Sequence, residues 1–276
     1  MKKEGVIPKR RLGKTGVDVS ILGLGGEGIL RTYGNEKEAD RLINTAIDLG
    51  INYLESARAY EGSEGYYGAA LKGRRDSVFL ASKSHARDKK GALAHLHETL
   101  ARMKAGHLDL WQVHDVRTEA EINEIFGPGG AIEAFVEARD KGLVRFIGVT
   151  GHHDPAVLKK CLERFDFDTV LMPVNPAEPA YKCFLEEIVP IAGAKDIGVI
   201  GMKTYLRGRL DMPKKLLFCY ALTQAISTAV IGCDTVEQLK ENAEAAAGFF
   251  PLKYKELQHV NNLVAPYARE LMYYKL

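Results

Sequence analysis

The chain has 276 residues, 46% of them hydrophobic, enough to bury a core as one large α/β barrel or as two smaller domains. Lys and Arg number 38 against 36 Asp and Glu, a net charge of +2 with no basic block long enough for a nucleic-acid or polyanion partner, so small molecules are the expected ligands. The opening M-K-K-E-G-V-I-P-K-R-R is charged and no long apolar stretch follows it, which argues against a signal peptide or membrane span and for a cytoplasmic protein.

In chain order, R-R-L-G-K-T-G-V-D-V-S alternates around a glycine-containing turn and predicts a hairpin that plugs the N-terminal end of a barrel. The apolar run 21–25 leads into Gly23, Gly25, Gly26 and Gly28, spelled G-L-G-G-E-G. That spelling matches G-x-G-x-x-G, but a dinucleotide fingerprint needs a helix opening at its third glycine, and helical periodicity here begins only near Glu36. The glycines instead mark a close backbone approach, either to a ligand or within a tight turn. Further apolar runs at 52–56, 78–82, 108–113, 145–150, 169–174, 198–202 and 228–232 are each short enough for one buried strand. Amphipathic stretches at 36–49, 89–103, 131–141, 156–165 and 236–247 lie between and after them, with Pro155 and Gly142 as helix punctuation. Eight strand–helix units predict a (β/α)8 TIM barrel, with residues 1–276 forming a single domain. The tail from Tyr254 to Leu276 predicts an extra C-terminal helix, with Leu257, Val260, Leu263, Val264, Tyr267 and Leu271 as packing surface.

Three ionisable residues close successive runs: Tyr60 after N-Y-L-E-S-A-R-A-Y, Lys83 after V-F-L-A-S-K and His114 after L-D-L-W-Q-V-H. If the strands are neighbours in a parallel barrel, their C-terminal ends share one mouth, and a phenol, an ammonium and an imidazole there point to proton transfer to a reacting oxygen. Each taken alone reads equally as a loop-capping Tyr, a snorkelling Lys or a core His. Cys161, Cys183, Cys219 and Cys233 are scattered and read as reduced, mostly buried residues. Neither His152 and His153 nor His95 and His97 have the spacing that puts two ligands on one helical face, so no metal is expected.

Taken together, R-R-L-G-K-T-G, L-G-L-G-G, G-I-N-Y-L-E-S-A-R-A-Y-E-G-S-E, F-L-A-S-K, D-L-W-Q-V-H, I-G-V-T-G and V-I-G-C-D-T-V-E-Q-L-K-E-N resemble an aldo-keto reductase over nearly the whole chain. The resemblance implies an oxidoreductase that moves hydride between a nicotinamide and an aldehyde or ketone. In it Tyr60 is the general acid, Lys83 the cation that makes the phenol a better donor, and His114 the group orienting the carbonyl. The fourth member departs from the family pattern N-x-x-D-T-A: Glu55, followed by Ser56, stands where an aspartate is usual.

By the same resemblance, Glu241 and Asn242 read the adenine, Gln238 lies near the ribose, and Gly232 and Cys233 approach the phosphate side. Asp234 falls where a small polar or basic residue usually meets the 2′-phosphate. NADP(H) is the expected cofactor, with NAD(H) as the alternative. Thr150 and Gly151 replace a Ser-Asn pair, Leu171 replaces a glutamine, Met202 covers the nicotinamide in place of an aromatic ring, and Asn175 supplies an amide. Gly25 and Gly26 lie at the mouth, while Lys203, Thr204 and Gly208, with Arg207 and Arg209, form the loop expected to clasp the pyrophosphate. The expected partner is a small carbonyl substrate. Two other readings stay open: a catalytically weak nicotinamide-binding member with a regulatory role, and a barrel lyase or isomerase without nicotinamide. Substrate identity and oligomeric state are not legible.

Overall fold

Short apolar runs that bury both faces can pair only with one another, and helices long enough to carry the chain back make that pairing parallel. In the computed structural model, which describes residues 5–275, eight such strands close into a barrel. Strands β1 (Lys9–Arg11) and β2 (Asp18–Ser20) form the predicted antiparallel hairpin. The barrel strands are β3 (Leu22–Gly28), β4 (Tyr53–Glu55), β5 (Phe79–Ser84), β6 (Leu108–Val113), β7 (Val144–Thr150), β8 (Thr169–Pro173), β9 (Gly198–Met202) and β10 (Thr228–Cys233). Each pairs in parallel with its sequence neighbour, and β10 pairs with both β9 and β3 to close the ring.

Two apolar layers follow from the alternation of side chains along each strand. Inside the barrel, Tyr53, Phe79, Ala81, Leu110, Leu171 and Ile200 pack together, and Leu12 of the hairpin turn joins them. Outside, the other strand faces meet the helices; Trp111 stacks on Phe135 of helix Ala131–Asp140 with ring centroids 3.7 Å apart. The hairpin closes the N-terminal end at close quarters: the Lys14 amide donates to the Asp196 carbonyl at 2.6 Å, and a Cβ at Gly13 would lie 2.3 Å from the Gly198 nitrogen. Chemistry is thereby confined to the opposite end, where the strands terminate in Glu55, Ser84, Val113, Thr150, Pro173, Met202 and Cys233.

The tail forms the expected extra C-terminal helix, which breaks after Val264 rather than running to the end. Helix Tyr254–Val264 gives way at Pro266 to a 3-10 turn, Ala265–Tyr267, and a short helical turn, Ala268–Leu271. Proline cannot donate to the helical ladder, so the chain is free to turn back. Met272 and Tyr274 are then buried against Ala177 and Leu206, on the loops after β8 and β9, while Leu263 and Tyr267 are exposed rather than packing surface. No helix among the described residues is long and apolar enough to cross a membrane.

Candidate active site

The backbone laces the loop after β4 to the end of β5. The Ser56 amide donates to Ala81, the Arg58 amide donates to the Lys83 carbonyl at 3.0 Å, and the His114 amide donates to Ser84 at 2.9 Å. These bonds bring the four candidate catalytic residues together. Lys83 Nζ lies 2.7 Å from Glu55 Oε1, donates to the Ser56 carbonyl at 2.8 Å, and sits 5.1 Å from the centre of the Tyr60 ring. The Tyr60 and His114 rings meet edge to face at 6.1 Å. Glu55 is held at both ends, because its Oε2 accepts from the Tyr53 hydroxyl at 3.0 Å and from Gln112 Nε2 at 3.1 Å.

The electrostatics of this group differ from the sequence expectation. Burial, then the negative charges of Glu27 and Glu55, hold the Tyr60 phenol well above its usual range, and Arg31 opposes them only in part. The Lys83 ammonium beside the ring is itself paired with Glu55 and the Ser56 carbonyl. Tyr60 therefore keeps its proton across the working pH range. Burial, with Lys83 adding to it, holds the His114 imidazole well below its usual range, so it is a neutral hydrogen-bonding group. Glu27 and Arg31 pair at 2.6 Å, with the guanidinium 5.1 Å from the Tyr60 ring; sequence reading passed over both because they lie in the glycine-rich turn.

The glycines of that turn are explained by packing. A Cβ at Gly26 would lie 2.2 Å from Ser63 Oγ, one at Gly25 3.0 Å from Val230, and one at Gly232 2.8 Å from Glu27. Gly28 has φ +67° and pairs with Cys233 at the end of β10. The residues expected to read adenosine are spread over this end and committed to internal partners. The Tyr205 hydroxyl donates to Asn242 Oδ1 at 3.1 Å, and Asn242 Nδ2 donates to Cys233 Sγ at 3.3 Å. Gln238 Oε1 accepts from the amide of exposed Asp234, and exposed Glu241 pairs with Lys214 at 3.1 Å.

On the nicotinamide side the tail intervenes. Asn175 Nδ2 donates to the Tyr274 hydroxyl at 2.8 Å and its Oδ1 accepts from the Ala177 amide, so its amide reaches a cofactor only if Tyr274 moves. Tyr274 in turn donates to Glu178 Oε1 at 2.6 Å, and Lys275 pairs with Glu178 Oε2 at 2.7 Å with both side chains fully buried. Tyr273 lies over the basic loop: Lys203, Arg207 and Arg209 approach its ring centre at 5.6, 4.9 and 4.5 Å. Burial, reinforced by Arg207, pushes the Lys203 ammonium down to about 8. Thr204 is buried beside it with its Oγ1 unpartnered, Gly208 takes φ +73°, and Met202 is half-buried against the barrel interior.

A second cluster sits next to His114. Asp115 has φ +54°, its amide donates to Thr150 Oγ1 at 2.7 Å, and its Oδ2 accepts from Arg117 Nε and Nη2 at 2.8 and 2.6 Å. His152 and His153 turn inward toward Asp115. Burial would raise the Asp115 carboxyl, but His153, His152 and Arg117 together hold it well below the usual carboxylate range. Burial, with Lys203 next, pushes His152 down to about 3.

A phenol that keeps its proton, a buried ammonium–carboxylate pair and a neutral imidazole at the C-terminal mouth of a parallel barrel define a class of site suited to proton donation to a polar oxygen. The chain belongs to the aldo/keto reductase family, whose model matches residues 21–215. It is 26% identical to an uncharacterized oxidoreductase of Bacillus subtilis, YqkF, over 86% of this chain and 90% of that protein. An aldo-keto reductase of Bacillus halodurans, solved in its holo form, superposes with a TM-score of 0.80 at 26% identity, covering 93% of this chain and 96% of that one. The fold is shared as well with an aldo-keto reductase of Klebsiella pneumoniae solved with NADPH, at a TM-score of 0.75 and 20% identity, covering 96% of each chain.

Proposed function

We propose that the protein is a cytoplasmic carbonyl reductase that uses NADP(H), with NAD(H) as the alternative, and that Tyr60 donates the proton to the substrate oxygen. The observation that carries the reading is the convergence of Tyr60, the Lys83–Glu55 pair and His114 at one mouth. The four free, buried cysteines agree with a reducing compartment.

Lys203, Arg207 and Arg209, beside the unpartnered Thr204 hydroxyl, fit a pyrophosphate. Gly232 and Cys233 face the same end of β10 as Gln238, Glu241 and Asn242, the groups assigned to adenosine. A nicotinamide bound there supplies the hydride. His114, neutral and rigidly buried, orients the carbonyl oxygen, and Tyr60 places its proton on that oxygen as negative charge develops. Glu55 holds the Lys83 side chain next to the phenol. The second reading is a slow member that retains its nucleotide and acts through it. Fluorescence titration with NADPH and NADH, followed by aldehydes and ketones, tests the proposal: binding with turnover supports it, tight binding without turnover selects the second reading, and no binding of either nucleotide rejects both.

A further inference from the structure

We infer that Asp115, His152 and His153 form a binding site for a divalent transition-metal cation of the zinc class. Asp115 Oδ1 lies 3.2 Å from His152 Nδ1 and 3.5 Å from His153 Nε2, and the three ligand atoms all fall within 4.8 Å of one another. Tetrahedral zinc with bonds of about 2.0–2.1 Å sets its ligands about 3.3–3.5 Å apart, so the two measured edges are compatible with a shared cation as well as with an ion pair.

Hydrogen bonding does not account for the cluster. Asp115 Oδ1 and both ring nitrogens of His153 are buried without a hydrogen-bond partner. Orphaned buried polar atoms are uncommon and each is costly, and a single cation would satisfy the carboxylate oxygen and an imidazole nitrogen together. The support is also that of a ligand set: Arg117 takes the second carboxylate oxygen in a two-pronged contact, and Thr150 pins the Asp115 amide while the backbone there holds φ +54°. Two imidazoles and one carboxylate suit zinc, and three protein ligands leave a fourth position for water or a substrate oxygen. The cluster adjoins His114, the residue preceding Asp115, and Tyr274, whose ring meets His152 edge to face at 6.1 Å.

The test uses the full chain without a polyhistidine tag, stripped with a chelator and titrated with Zn2+ and with Co2+ as the spectroscopic probe. One equivalent should bind, with the visible absorption of tetrahedral Co2+, and Zn2+ should displace it. Asp115→Asn and His153→Gln should each weaken Zn2+ binding by more than about a hundredfold, since loss of a group one shell further out already costs 10–100-fold. Circular dichroism reports whether each variant is folded, and the wild-type stoichiometry and Co2+ spectrum stand without them. Absence of binding by the wild type, which would make the cluster an ion-paired triad only, overturns the inference. Stoichiometric binding that both folded variants retain also overturns it, by placing the metal elsewhere.

Discussion

Glu55 shows how the site absorbs a side chain one methylene longer than the family's aspartate. Its extra reach places one oxygen on Lys83 and the other on two donors, Tyr53 and Gln112, both buried in the barrel interior. Glu55→Asp cannot keep all three contacts, so the variant should lose about 1–3 kcal/mol of stability by leaving a buried donor unpaired, and turnover should drop by about tenfold as Lys83 is misplaced. Denaturation midpoints and steady-state rates check this; an equally stable and active variant would show that the two donors find other partners. On the proposed pyrophosphate contact, Lys203 gives cofactor binding its pH dependence. Its ammonium, pushed down to about 8, is charged at pH 7 and loses its proton as pH rises, so NADPH affinity should weaken between pH 7 and 9. Lys203→Arg stays charged throughout, and its Kd measured over that range should be nearly flat. Lys83 and His114 were legible as neighbours because each stands at the end of an apolar run that can only be a strand, whereas Tyr60 lies in the turn that follows β4, beyond the strand end at Glu55. The contact of His152 and His153 with Asp115 was not legible, because Asp115 comes from the loop after a different strand, which no spacing within one helix reveals.

At the scale of elements, each of the eight strands lay within a few residues of its apolar run, since a strand buried on both faces has no other reading at that length. Helices with one apolar face, such as Glu36–Asp48 and Pro155–Arg164, were equally clear. Those without one were not singled out: Ser63–Ala70 contains Gly65 and Gly68 and buries most of its surface, Lys214–Thr223 is apolar nearly all round, and Phe184–Ala194 holds Pro190. The tail was the main loss. Its helical spacing is real as far as Val264, but the return over the mouth depends on Glu178, far away in sequence, which accepts from both Tyr274 and Lys275. Lys275→Met should destabilise the protein by about 3–5 kcal/mol, because it leaves Glu178 charged and buried without its cation. The companion change Glu178→Gln should recover part of that loss. Thermal unfolding of the two single variants and the double variant measures the coupling, and additive losses would show that the pair does not act as a unit.

For the molecule as a whole, the hairpin seals the N-terminal end of the barrel and the tail crosses part of the other, so substrate and nucleotide must share what remains of one mouth. Near-neutral net charge is locally uneven there: the Lys203, Arg207 and Arg209 loop is basic, while Glu27 and Glu55 hold the phenol in its protonated form. That division, cations for a phosphate and anions around a proton donor, is the physical basis of the carbonyl-reductase reading. It is tested most directly by comparing the wild type with Tyr60→Phe, which removes the donor and keeps the ring, in NADPH binding by fluorescence and in NADPH oxidation with a panel of aldehydes. The account predicts equal NADPH affinity for the two proteins and a rate lower by about 10²-fold or more in the variant. An unchanged rate in Tyr60→Phe, or a wild type that binds no NADPH, would contradict it.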